Sequence, residues 1–190
     1  MKERIIEALR SVDRDGIETL IDAMNEGGFF KAPCSGKVIY HLAVEGGLAI
    51  HSWNVLEYCR KLNEAFGKPV SDKNIIIAAL LHDLGKMGDY GKPYYVENIL
   101  KTGQSKAEPF KHNSELYYLP HEVKSVKIAA QYIRLTPDEE YAITYHNGLY
   151  GRFAPDIKGK ETWLYMILHT ADMVCSRFIE AEEEKGGNNG

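Results

Sequence analysis

The chain has 190 residues, 44% of them hydrophobic and 26% charged, with a formal net charge of −4. That length gives one domain with a real core and too little chain for two ordinary ones, and the balance excludes a disordered or fibrous protein. The acidic excess supplies no basic footprint for long nucleic acid, so none is expected as a partner, while small anionic substrates stay open.

Cys34, Cys59 and Cys175 are widely spaced and form no CxxC pair. Neither a disulfide framework nor a thiolate zinc site is indicated, and they read as buried, reduced thiols. The opening "MKERIIEALR" is charged and lacks a signal-peptide apolar region, and the longest apolar run, 75–81, is far too short to span a bilayer. A cytoplasmic location without membrane contact is expected; oligomeric state has no signal.

"DGIETLIDAMNEGG" reads as a helix capped by Asp15, with Glu18 three residues later and a stop at Gly27 and Gly28. A mostly irregular stretch follows. "LAIHSWNVLEYCRKLNEAF" then sets Val55, Cys59, Leu62 and Phe66 on one helical stripe, and His51 continues it one turn earlier, facing the core. Ser71 caps the next helix, whose interior "IIIAALL" is apolar on every side and ends in His82 and Asp83. Between about 90 and 118, tyrosine and valine runs around a glycine turn predict a small β-hairpin insertion.

"HEVKSVKIAAQYIRL" is helical by its Val126, Ala130 and Ile133 spacing, with His121 near its start. "TPDEEYAITYHNG" begins as a capping box of Thr136, Pro137 and Glu139 and stops at Gly148; His146 shares the inward face of Glu139, Ala142 and Ile143. A loop, "LYGRFAPDIKGK", leads to a last helix from about Glu161, where Leu164, Leu168, Cys175 and Ile179 form a stripe that includes Asp172. The tail "EAEEEKGGNNG" reads as frayed. The fold class is therefore all-α with a minor hairpin, one domain over 1–183 and a flexible tail over 184–190.

A buried ionised aspartate costs several kcal/mol unless it is paired, hydrogen-bonded or bound to metal, so Asp83 and Asp172 each require a partner. The C-terminal end of a helix adds partial negative charge that favours a cation. Imidazole and carboxylate donors without thiolates suit Zn, Mn, Fe, Co or Ni; His51 and Asp172 complete a set with His82 and Asp83, and His121 and His146 supply a second. The plainer alternative is that each histidine is simply hydrogen-bonded in the core, with Asp172 capping a helix or pairing with Arg177.

In order along the chain, "GGLAIHSWNV", "LLHDLGK", "LPHEVKSV", "ITYHNG" and "HTADMVCSR" resemble the HD-domain superfamily of metal-dependent phosphohydrolases, whose H…HD…D motif falls on His51, His82, Asp83 and Asp172. His121 and His146 match the extra histidines of binuclear members, including HD-type exoribonucleases and HD-GYP phosphodiesterases, although the GYP signature is absent. The resemblance implies an HD helical bundle holding one or two divalent ions (Mn, Fe, Zn, Co, Ni or Mg not distinguished) that cleave a phosphate mono- or diester, a nucleotide or short oligonucleotide fitting best. Asp83 would bridge the ions. Lys86 stands where HD 5′-deoxynucleotidases hold a catalytic glutamate, and is assigned to catalysis and phosphate binding; Arg152 is a second substrate-binding candidate. His169 is read as a support for the ligands, and His41 and His112 as structural or exposed. Two other functions share the pattern: di-iron oxygenation on an HD fold, and a non-catalytic, metal-stabilised nucleotide-binding module.

Overall fold

The apolar run at 75–81 becomes the interior of helix α4 (Asp72–Leu81), where every residue from 75 to 81 is buried. Such burial contributes roughly 1.5–3 kcal/mol for each large aliphatic side chain. Ser71 caps the helix as expected, its Oγ accepting the Asn74 N–H at 3.3 Å. In this computed structural model, which describes residues 1–151 and 153–181, α4 is surrounded by α1 (Lys2–Ser11), α3 (Gly47–Ala65), α5 (His121–Ala129), α6 (Pro137–Tyr145) and α8 (Trp163–Val174). An all-round apolar helix at the centre of a helical bundle is what the sequence pattern requires.

At the N-terminus one helix was not foreseen and the cap of the next differs from the one expected. The charged opening forms α1, whose Ile5 and Leu9 are fully buried. Helix α2 (Ile17–Glu26) is capped by Gly16 rather than Asp15, with φ at 84° and no side-chain cap. A Cβ on Gly16 would lie 1.8 Å from the Tyr132 carbonyl oxygen, so close backbone packing, together with the left-handed conformation, selects glycine there. The adjacent Arg14 reaches across the molecule to the buried Glu139 in a bidentate pair at 2.8 Å and 2.8 Å. That pair pins the start of α6, where Thr136 and Glu139 also form the expected capping box.

The insertion is a nested antiparallel ribbon: β1 (Tyr95–Glu97) pairs with β4 (Phe110–His112), and β2 (Ile99–Leu100) with β3 (Gly103–Gln104). Short α7 (Ala154–Ile157) interrupts the stretch read as a loop. Helix α8 begins at Trp163, two residues later than expected, because Thr162 caps it by accepting the Tyr165 N–H. It continues through a π turn, Cys175–Ile179, to Glu180. Among the described residues no helix is long and apolar enough to cross a membrane. The tail reading for 184–190 lies outside the described residues.

Candidate metal centre

Helices α4 and α6 both end at the same point, and each ends in a histidine. His82 and His146 occupy the C-cap positions, and each ring turns back so that its Nδ1 reaches the carbonyl three residues earlier, Ala79 at 2.8 Å and Ile143 at 2.7 Å. Each ring thus satisfies a helix-end carbonyl that has no intrahelical donor. With the proton fixed on Nδ1, both Nε2 lone pairs face the interior. Burial, with His82 nearby, lowers the His146 pKa to about 3, so it stays neutral. Two helix C-termini add partial negative charge at one place, a setting for cations.

Asp83 follows His82 directly and is 2% exposed. Its two oxygens divide the surrounding histidines. Oδ2 faces His82 Nε2 at 3.5 Å and His51 Nε2 at 3.8 Å, whereas Oδ1 faces His121 Nε2 at 3.2 Å and His146 Nε2 at 3.6 Å. On the first side Asp172 Oδ1 closes the group, 3.1 Å from His51 Nε2. All six ligand candidates read from the sequence therefore converge, from α3, the end of α4, α5, the end of α6 and α8.

Gly85 makes this convergence possible. A Cβ there would lie 2.4 Å from the His121 carbonyl oxygen, so only glycine lets the 3₁₀ turn Leu84–Met87 press against α5. Ser125 locks that contact, its Oγ accepting the Gly85 N–H and donating to the His121 carbonyl, both at 2.8 Å.

Lys86 Nζ donates to Asp83 Oδ2 at 2.6 Å. Burial opposes charge on both groups. Yet Lys86 and His82, with the close approach of His121, hold the Asp83 carboxyl well below its ordinary pKa, and Asp83 in turn raises that of Lys86. Asp172 behaves likewise: burial is outweighed by its hydrogen bond and charge interaction with His51.

Glu180 was not singled out in the sequence. It is fully buried, with both carboxylate oxygens 3.0 Å from His51 Nδ1 and one accepting from Asn54 Nδ2 at 3.1 Å. Eight residues along an α-helix from Asp172 would turn it about 80° away; the extra residue in the π turn returns it to within about 20° of the Asp172 face. Its place at the head of a run of charged residues disguised it as tail. Burial opposes protonation of His51, but Cys34, Glu180 and Asp172 together raise its pKa well above the ordinary value.

Of the remaining candidates, His169 donates from Nδ1 to the His146 carbonyl at 2.8 Å and so steadies the end of α6. His41 lies in the wall of the cleft above Asp83, and His112 is exposed on β4. Arg177 does not pair with Asp172; its guanidinium sits over the Tyr150 ring at 5.5 Å, also beside the cleft. The Arg152 assignment lies outside the described residues.

The donor set fits divalent ions. Ligand atoms of His51, His82 and Asp172 lie within 4.8 Å of one another, as do those of His82, Asp83 and His146. Asp83 Oδ1 is buried and receives no well-formed hydrogen bond, a costly state that a cation would relieve.

No curated protein and no solved structure matches the chain. The HD domain family model matches residues 48–160, more than half of it, and takes in every candidate ligand except Asp172. The chain belongs to the HD domain family, a metal-dependent hydrolase superfamily, and its clustered histidines and aspartates are suited to metal.

Proposed function

We propose that the protein hydrolyses a phosphate ester using two divalent ions, one held by His51, His82, Asp83 and Asp172, the other by Asp83, His121 and His146. The observation that carries this reading is the division of the Asp83 carboxylate, one oxygen toward each pair of histidines. Bound divalent ions acidify water to near neutrality and polarise phosphoryl oxygens, as a two-metal site does for in-line displacement.

The residues around that centre suit an anionic substrate. A cleft of about 150 Å³ opens over Asp83, with Lys86 and Arg177 among its walls. That is room enough for a phosphoryl group beside Asp83 and Lys86. Lys86 offsets the charge that develops on the phosphoryl oxygens. Tyr40 and Tyr150 line the same cleft and are 55% and 72% exposed. Exposed aromatic rings offer stacking faces, so a nucleotide or short oligonucleotide is the preferred substrate class.

The test is release of phosphate from monoesters and of the leaving alcohol from diesters, with manganese, in the wild type, His82→Ala and Asp83→Asn. Losses above about 100-fold are expected in both variants, since metal Lewis acidity is worth several kcal/mol. Full activity in both variants refutes the assignment, and oxygen uptake by the iron-loaded protein without ester hydrolysis favours di-iron oxygenation instead.

A further inference from the structure

A third group of donors borders the cluster and shares His51 with it, while its other two members, Cys34 and His41, have no role in the proposed cleavage. Cys34 is fully buried, and its Sγ lies 3.2 Å from His41 Nε2. The His41 ring stands 4.8 Å, centre to centre, from that of His51. One ligand atom from each of Cys34, His41 and His51 lies within 4.8 Å of the other two. Glu180 Oε2 is 4.0 Å from His41 Nε2.

The backbone builds this arrangement. The Cys34 N–H donates to the Leu42 carbonyl at 3.1 Å, closing a loop that brings Cys34 and His41 together. Gly47 permits the closure, since a Cβ there would lie 2.2 Å from the same carbonyl oxygen. His41 also lines the cleft, which gives an ion a way in.

We propose that Cys34, His41 and His51 form a competing site, sharing His51, for a thiophilic divalent ion, of which Zn²⁺ is the best chemical match, and that filling it inhibits the enzyme. A thiolate with two imidazoles selects zinc over magnesium or manganese, which prefer oxygen. Binding forms a zinc–sulfur bond and releases to solvent the Cys34 thiol proton and the proton carried by His51 Nε2. His51 decides the regulatory outcome. Its Nδ1 is held by Glu180, so Nε2 is the one nitrogen left, and it cannot serve the Asp172 side and the Cys34 side together. The inhibitory half rests on the phosphate-ester reading; the binding half does not.

Cobalt(II) titration of the metal-free full chain tests binding directly, because a sulfur-to-cobalt charge-transfer band in the near ultraviolet reports thiolate ligation and histidine–carboxylate sites lack it. The wild type, Cys59→Ala and Cys175→Ala should give the band, Cys34→Ser should lose it, and His41→Gln should weaken it. If Cys34→Ser does not fold, the partly exposed His41 decides through His41→Gln. A wild type without the band, or a band that persists unchanged in folded Cys34→Ser or His41→Gln, overturns the site. In manganese-supported phosphate release, Cys34→Ser should raise the zinc concentration needed for inhibition at least about tenfold; an unchanged value overturns the inhibitory role. If no ester is hydrolysed at all, the cobalt band still decides whether the site exists, so the two proposals fail separately.

Discussion

The two sides of Asp83 are built differently. On the Oδ2 side, His51 and His82 are buried, Asp172 adds a second carboxylate, and Glu180 grips His51 from behind. On the Oδ1 side there are two histidines and no second carboxylate among the ligand candidates; His121, with a side chain 23% exposed at the first turn of α5, has the Glu122 carboxylate 3.2 Å from its Nδ1 and Asn147 3.4 Å from its Nε2. The additional carboxylate ligand and the deeper burial on one side imply tight uptake there, and weaker, more exchangeable uptake on the other.

Asp83→Asn removes what the sides share. Metal content measured after purification should fall on both sides together, and loss from one side alone would break the symmetry assigned to this carboxylate. Glu180→Ala separates the sides. It should weaken the tighter ion by about 10- to 100-fold, the usual cost of removing a carboxylate behind a metal-bound histidine, and leave the weaker ion unchanged, as read by calorimetric titration.

The pH dependence should differ as well. His51 holds its proton more firmly in the folded protein than free histidine does, so an ion on its side must expel that proton. Affinity there should therefore rise with pH by about tenfold per unit until the raised His51 value is passed, then level off. His146, with its pKa lowered to about 3 by burial, is already neutral and adds no such slope. Potentiometric proton release during titration checks this.

Ser125→Ala acts on the weaker side with the smallest effect. It leaves the buried Gly85 N–H without its acceptor, costs about 1–2 kcal/mol in thermal or denaturant unfolding, and loosens His121 rather than His51.

The same comparison explains what the sequence disclosed. The better-supported side was legible where its residues lie on regular helix: His51 and Asp172 fall on apolar stripes of period 3.6, and His82 and Asp83 end an unbroken apolar run. Glu180 was invisible because a π turn breaks that period, and counting along an α-helix puts it on the wrong face. The orientation of His121, at a helix start, and the approach of His41 depend on loop closure, which no periodicity encodes. Cys34 and His41 have no recognised metal-motif spacing, so their meeting emerges only from the fold. The capping box at Thr136 was explicit in the residues, but the Arg14 partner of Glu139 lies 125 positions away and no local pattern points to it. Asp15 looked like a cap for α2; a tertiary contact at Gly16 overrode it.

The central claim is that the Asp83 carboxylate is shared between two ion positions. Anomalous diffraction from manganese-loaded crystals tests it most directly. Two peaks are predicted, one among His51, His82 and Asp172 and one beside His121 and His146, with a different Asp83 oxygen at each. Ions bound with neither Asp83 oxygen in contact, or a single ion with one side of Asp83 empty at saturating manganese, would contradict it.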